Sequence, residues 1–444
     1  MGLNDTVSAD RTHIAFFGKR NAGKSSLVNA VTDQQMAIVS DVMGTTTDPV
    51  YKSMELLPLG PVMIIDTPGY DDEGELGKQR VLRTLQVMNK TDIGILVTDD
   101  STGLTEDDVK ICDTLGKKNV PYVVVLNKSD LTPHPATLQP PSLRQGGHPN
   151  TSCCDISPQG EGLRDRSNPA DDVDMSIRNA ETALSSVSAK PAGIIRVSAL
   201  KKTNIWELKE LIASVKPNVS NRRLVADLIA PSDMLVLVMP QDESAPKGRL
   251  ILPQVQMIRD IIDEHAMALC VQPEEVKAAL ESLKQPPKLV ITDSQAFKKV
   301  AADVPDEVML TSFSILLARY KGYLDSALKG INAIKTLTPE DRVLIAEGCT
   351  HHRQCNDIGT VKIPSGLRNK LGFDVKFDTV SGNEFPLELE KYKAVIHCGG
   401  CMLNEREISS RIKSAEDQGV PVTNYGILLA WLQGILDRSI RCLI

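Results

Sequence analysis

Aromatic side chains are scarce in this chain: Phe, Trp and Tyr together make up 4% of its 444 residues. Platforms for stacking nucleobases are therefore hard to build. Positive charge is not in excess either, since 50 Lys and Arg face 57 Asp and Glu for a formal net charge of −7. Such a chain has no bulk attraction to nucleic acid. Its apolar runs, such as Leu235–Met239, fall far short of the ~20 residues that span a bilayer. The opening MGLNDTVSADRTH lacks the apolar core of a secretory signal and the Arg-rich pattern of a transit peptide. Met1-Gly2 with Thr6 matches only the loose myristoylation pattern, which recurs by chance. Nine scattered cysteines do not make a disulfide framework. These absences lead to the expectation of a cytoplasmic, reduced chain with no membrane segment and no nucleic-acid partner.

What remains is an ordinary globular balance, with 41% hydrophobic and 24% charged residues. At this length roughly three domains of ~150 residues are expected. In residues 11–131, Ile14–Phe17, Val62–Asp66, Ile93–Thr98 and Tyr122–Asn127 are short continuous apolar runs separated by helical patterns. That is the signature of a parallel sheet buried on both faces. Residues 132–192 are rich in Pro and Ser and hold no Phe, Tyr or Trp. Too little apolar surface is available there to offset ordering entropy, so a mostly disordered insertion is expected. Ile194–Ser198 reads as a further strand, followed by a helix over about Asn204–Val215 that stops before Pro217.

A second α/β segment over 218–315 has strands at Leu235–Met239 and Leu289–Thr292, with helices near Gln254–Glu264 and Pro273–Leu283. It contains no catalytic constellation and reads as a scaffold or subunit interface. A third segment over 316–444 has strands at Arg342–Ala346, Val375–Phe377, Ala394–His397 and Val420–Asn424, and its charge is nearly balanced. The expected fold class is thus α/β in three domains, with a P-loop domain over 1–217 at the N-terminus.

Gly18-Lys-Arg-Asn-Ala-Gly-Lys-Ser25 fits the phosphate-binding loop G-x-x-x-x-G-K-[ST], between a strand and a helix as that motif requires. The backbone from Gly18 through Asn21, Ala22 and Gly23 to Ser26 would wrap the phosphates. Lys24 supplies a cation and Ser25 a hydroxyl for Mg²⁺. Asp66-Thr-Pro-Gly69 ends a strand, where the Asp66 carboxylate suits Mg²⁺ and the Gly69 amide a γ-phosphate. Asn127-Lys128-Ser-Asp130 ends another. The two carboxylate oxygens of Asp130 match the N1–H and exocyclic amine of guanine, a donor pair that adenine lacks, so the expected nucleotide is GTP. Ser198-Ala199-Leu200 would add a backbone loop on the base side. Tyr70 follows Gly69, so the chain has no Gln there to orient the attacking water. Glu75 is one candidate for that task, Asp71, Asp72 and Glu73 are others, and a merely solvated acidic loop is the plainer reading.

The third segment carries a different chemistry. Cys349-Thr-His351 follows one expected strand and His397-Cys398-Gly-Gly-Cys401 ends another. At the carboxyl ends of parallel strands, three thiolates with an exchangeable fourth position suit a [4Fe–4S] cluster, with His351 or His397 as a possible fourth ligand. Structural zinc with Cys₃His ligation and separate buried thiols are the alternatives. Cys355 lies near enough to compete with Cys349, and Cys112, Cys153, Cys154, Cys270 and Cys442 have no metal-like spacing.

The N-terminal motifs resemble those of translation-factor-class GTPases, the TrmE/Era branch in particular. Gly44-Thr-Thr-Thr-Asp48 is similar to that branch's switch I, which implies that Thr46 senses Mg²⁺ and γ-phosphate. Asn21 stands where members with K⁺-stimulated hydrolysis carry a K⁺-ligating Asn, and slow, K⁺-stimulated turnover is implied. With the Cys/His pattern, the switch and Ala245-Pro-Lys-Gly-Arg-Leu-Ile-Leu-Pro253, the chain resembles the HydF family of [FeFe]-hydrogenase maturation GTPases. That resemblance implies a homodimer or larger assembly formed through the middle domain. It implies a [4Fe–4S] cluster on Cys349, Cys398 and Cys401, and a two-iron precursor received from radical-SAM maturases and delivered to apo-[FeFe]-hydrogenase. A redox-sensing iron–sulfur GTPase, and an RNA- or ribosome-associated GTPase with structural zinc, are the competing functions.

Overall fold

The computed structural model describes residues 11–33, 49–70, 75–131, 169–216, 222–241, 250–348, 357–382 and 384–443. The described residues divide into two compact units, one beginning at Thr12 and one lying beyond Val219.

The first unit runs β1 (Thr12–Phe17), α1 (Lys24–Thr32), β2 (Val50–Leu56), β3 (Gly60–Asp66), α2 (Glu75–Met88), β4 (Ile93–Asp99), α3 (Glu106–Lys117), β5 (Tyr122–Asn127), α4 (Pro169–Ala183), β6 (Gly193–Arg196) and α5 (Ile205–Ser214). Its six-stranded sheet has the order β2-β3-β1-β4-β5-β6. Only the edge pair β2–β3 is antiparallel. Alternate residues of each central strand face opposite layers, and both layers are buried. Ile14, Phe16, Ile64, Ile95 and Val125 meet α1 and α5. Ala15, Phe17, Ile65, Leu96 and Val124 face the layer that holds Cys112 and Leu115 of α3. Two covered faces are why these strands read as unbroken apolar runs. The chain order reverses at β1, which lies between β3 and β4. A ligand in an open α/β sheet belongs beside that point, at the carboxyl ends of the strands.

For residues 169–192, helix α4 and the turn after it correct the expectation of a mostly disordered stretch; residues 132–168 lie outside the described residues. Its C-terminal half carries its few apolar side chains on one face: Ile177 packs on the core, and Ala180 and Leu184 are buried. The following turn is tied down as well. Tyr122 donates its hydroxyl to the Ala189 carbonyl at 2.7 Å, and the Ser188 amide and hydroxyl both donate to Asp113. Low apolar content misled because the few apolar residues are correctly spaced.

The second unit holds two four-stranded, all-parallel sheets. The first is built from β7 (Met234–Val238), α6 (Leu252–Asp263), β8 (Met267–Val271), α7 (Val276–Ser282), β9 (Leu289–Thr292), α8 (Phe297–Asp303), β10 (Met309–Ser312) and α9 (Phe313–Tyr320), in the order β10-β9-β7-β8. Next come α10 (Leu324–Lys335), β11 (Arg342–Glu347), α11 (Ile363–Leu371), β12 (Lys376–Ser381), β13 (Ala394–His397), α12 (Glu405–Asp417), β14 (Val422–Asn424), α13 (Tyr425–Leu432) and α14 (Leu436–Ile440), with strand order β12-β11-β13-β14. One hydrophobic cluster joins them, running from Val236, Val290 and Phe297 through Ile315 and Ala318 to Leu344 and Ile396. Helix α9 belongs to both, since Phe313, Leu316 and Leu317 pack into the core of the first sheet. The division expected at 315/316 therefore falls inside a helix, within a continuous core. No helix among the described residues is long and apolar enough to cross a membrane.

Candidate functional site

In the first unit, the loop after β1 is shaped by its glycines. Gly18 has φ +152°, and a Cβ there would lie 2.1 Å from the Val97 carbonyl oxygen. Gly23 has φ +85°, and its Cβ would lie 2.3 Å from Asn127 Nδ2. Both positions need a residue without a side chain. No side chain caps α1, so its N-terminal amides and the positive end of its dipole are offered to an anion. Lys24 is buried and donates from Nζ to the carbonyls of Gly18 and Lys19, each at 2.7 Å. Its ammonium is thereby held over the loop. Asn21 is exposed with φ +62°.

Ser25 and Asp66 meet directly, Oγ donating to Oδ2 at 2.6 Å. Burial pushes the Asp66 carboxyl up, against the opposing pull of Ser25 and Lys24. Its other oxygen, Oδ1, is buried with no hydrogen-bond partner. An orphaned carboxylate oxygen in a buried site is costly, and a divalent cation beside a serine hydroxyl relieves that cost. The residues present thus fit Mg²⁺.

The base-side motifs converge through Asn127, at the end of β5. Its Nδ2 donates to the Ala22 carbonyl at 3.0 Å, and its Oδ1 accepts the Ala199 amide at 3.1 Å. Ser198 Oγ donates to Asp130 Oδ1 at 2.5 Å and accepts the Lys201 amide at 3.0 Å. Lys128, with φ +62°, pairs with Asp99 at 2.9 Å. Three motifs far apart in sequence are joined by side chains in one place. Gly69 and Tyr70 follow β3, anchored in part by Thr67, whose hydroxyl donates to the Phe16 carbonyl at 2.7 Å. Thr46, with the rest of Gly44–Asp48, and Asp71, Asp72 and Glu73 lie outside the described residues. Glu75 opens α2, and its side chain is likewise outside them.

In the second unit, Cys398 and Cys401 occupy the loop after β13, beside the end of β11. Cys398 Sγ accepts the Gly348 amide at 3.0 Å and the Gly400 amide at 3.3 Å. Burial pushes this thiol up to about 11, and those two amides act in the opposite direction by favouring the thiolate. Cys401 is also raised by burial, with Lys321 pulling it down. Gly400 has φ +64°, and its Cβ would lie 2.4 Å from Ile408 Cδ1, so the tight turn between the cysteines requires glycine. Two amides aimed at one sulfur fit an electron-rich, thiolate-ligated centre.

Cys349, His351 and Cys355 lie outside the described residues. Gly348, one residue before Cys349 in sequence, already touches Cys398. Among the described residues there is no group of three metal-type side chains. His397 is fully buried beneath the loop. Its Nδ1 lies 2.8 Å from the Cys398 carbonyl and its Nε2 lies 3.4 Å from the Arg411 guanidinium. Burial and Arg411 push it down to about 3. Both ring nitrogens are thus engaged within the protein.

Comparison with known proteins assigns these parts. Residues 224–322 match the hydrogen maturase F dimerization domain, residues 325–442 match the hydrogen maturase F tetramerization domain, and residues 13–128 match a GTPase domain described as 50S ribosome-binding. The chain belongs to the hydrogen maturase F family. Its N-terminal unit is a GTPase domain, and the two domains that follow are the family's oligomerisation domains.

The GTPase domain has curated relatives of its own. The tRNA modification GTPase MnmE of Endomicrobium trichonymphae is 41% identical over 127 residues, 27% of each chain. GTPase Der of Fusobacterium nucleatum is 38% identical over 122 residues, 27% of this chain and 28% of Der. The match thus spans little more than a quarter of either relative. Among solved structures, Era in complex with MgGDPNP and a segment of 16S ribosomal RNA aligns at 20% identity and a TM-score of 0.33. That alignment covers 59% of this chain and 92% of Era, a similarity too low to carry a structural conclusion.

Several contacts in the chain have no sequence signal. Tyr70 donates its hydroxyl to Asp108 of α3, and Lys19 of the phosphate loop pairs with Asp107 at 3.2 Å. Arg196 forms a buried ion pair with Asp100 beyond β4. Lys321 reaches the cysteine loop. Each links residues distant in sequence, or types common enough on any surface to pass without notice.

Proposed function

We propose that this chain is a maturation scaffold that couples a GTPase to an iron–sulfur centre. In this reading Cys349, Cys398 and Cys401 hold a [4Fe–4S] cluster, on which a two-iron precursor made by radical-SAM maturases is carried to apo-[FeFe]-hydrogenase. The observation that carries it is the pair of amides, from Gly348 and Gly400, donating to Cys398 Sγ at the ends of adjacent strands β11 and β13. A structural zinc thiolate also accepts such bonds. The single CxxC-type turn and membership of the hydrogen maturase F family favour iron–sulfur. Because both nitrogens of His397 are engaged, the fourth position falls to His351 or to a group from outside the chain.

At the nucleotide site, Lys24 neutralises β/γ-phosphate charge and Ser25 with Asp66 holds Mg²⁺. The Gly69 amide and Thr46 read the γ-phosphate, Asp130 reads guanine, and Glu75 or a neighbouring acid orients water. Asn21 would place a K⁺ ion against the phosphates, and hydrolysis at equal rates in Na⁺ and K⁺ would remove that part of the proposal. Subunits would join along β8, one edge of its sheet. Met267 on that strand and Val255 and Ile262 of α6 are exposed apolar residues, a surface suited to a second copy of the chain.

The direct test is anaerobic reconstitution with iron and sulfide, followed by metal analysis. About four irons and four sulfides per chain are expected, as the cluster composition requires, with loss in Cys398→Ser and Cys401→Ser. One zinc without sulfide, or full iron content in Cys398→Ser, would refute the assignment.

A further inference from the structure

Lys321 is 5% exposed, a rare place for an ammonium. It follows α9, at the very end of the dimerization domain, yet its Nζ donates to the carbonyls of Gly400 and Leu403 on the cysteine loop of the other domain. Those carbonyls flank Cys401 on either side. The backbone of Lys321 is itself fixed, since its amide donates to the Leu317 carbonyl at 2.9 Å. One buried cation therefore clamps the turn from a helix that the cysteine-bearing sheet does not own.

We propose that Lys321 is a positioning residue for the metal centre, holding the Gly400–Leu403 turn and placing a fixed positive charge beside Cys401. This rests on the iron–sulfur reading above. A lysine is suited to both tasks. Its ammonium has three donors, enough to satisfy both carbonyls. Its charge acts in a low-dielectric interior, where it is little screened. Thiolates and sulfides concentrate negative charge, and reduction adds more. A fixed cation therefore favours the reduced state and raises the potential. The clamp also connects the subunit-forming domain to the cysteines, so the geometry of the turn depends on where α9 sits.

Three variants separate the two tasks. Lys321→Met removes donor and charge, Lys321→Gln keeps donors without charge, and Lys321→Arg keeps both. Each is reconstituted anaerobically in the full-length chain, and iron, sulfide and midpoint potential are measured. Lys321→Met is expected to lose most of its iron. Lys321→Gln is expected to retain more iron but to show a potential shifted negative, while Lys321→Arg stays close to the unchanged protein in both. If Lys321→Met fails to fold, as judged by circular dichroism, the Gln and Arg variants decide alone. Wild-type potential in Lys321→Gln overturns the charge role, and wild-type iron content in a folded Lys321→Met overturns the clamp. Absence of iron and sulfide from the unchanged protein would sink the iron–sulfur reading itself, and this inference with it.

Discussion

Asn127 bonds through both ends of its carboxamide, giving a hydrogen bond to the Ala22 carbonyl at 3.0 Å and receiving one from the Ala199 amide at 3.1 Å. The phosphate loop and the base-side loop are thus tied to the same side chain. Asn127→Ala removes both bonds and leaves a buried carbonyl and amide to find other partners, at about 1–3 kcal/mol each. GTP affinity should fall at least tenfold, measured by titration calorimetry. An unchanged Kd would mean that the two loops hold their positions without it.

The proposed reading of guanine by Asp130 makes a prediction of opposite sign for two nucleotides. Xanthine carries a carbonyl where guanine has its exocyclic amine. Asp130→Asn replaces one acceptor by a donor, so GTP binding should weaken and XTP binding should strengthen. Competition between the two nucleotides reads this directly. A variant that still prefers GTP would show that Asp130 does not face the base.

Tyr70 gives the segment after β3 a fixed point on α3. Asp108 is 1% exposed, and its other oxygen accepts the amide and hydroxyl of Thr105 at the helix cap. Tyr70→Phe leaves one buried carboxylate oxygen without that donor, at a cost of about 1–3 kcal/mol. A thermal transition of the GTPase unit lowered by several degrees is expected, accompanied by altered hydrolysis. A variant with the original transition and rate would show the contact to be incidental.

His13 sets a pH limit on the same unit. Burial and the neighbouring Lys90 push it down to about 4. It is therefore neutral in the fold, whereas in the unfolded chain it protonates near 6.5. Its contribution is intact above pH 6.5 and is lost as pH falls towards 4, by up to about 3 kcal/mol. Protection factors of the β1 amides between pH 7 and pH 4 should show this slope, and His13→Gln should flatten it. Equal slopes in the two proteins would contradict the assignment.

Where the interior is continuous, sequence and structure coincide. Tyr122–Asn127, Leu289–Thr292 and Ala394–His397 occupy their apolar runs end to end, because each is buried on both faces. The edges were harder to see. Strand β2 alternates half-buried and exposed residues with Lys52, Ser53 and Glu55 among them, and β8 is largely accessible, so neither forms an apolar run. Helix α4 was concealed by composition.

At the nucleotide site, Asn127, Asp130, Ser198 and Ala199 come together with Ala22 as their motif types require. Lys321 and Asp108 could not be read in advance. Their roles come from contacts across 79 and 38 residues of sequence, and Lys and Asp carry no such information by type.

Delivery of the metal cargo can be measured in one experiment. The chain is produced together with the two radical-SAM maturases, purified anaerobically and mixed with apo-[FeFe]-hydrogenase, and hydrogen evolution is followed. Activation is expected from the loaded chain and none from chain produced without the maturases. A loaded, iron-replete chain that leaves the hydrogenase inactive would contradict it.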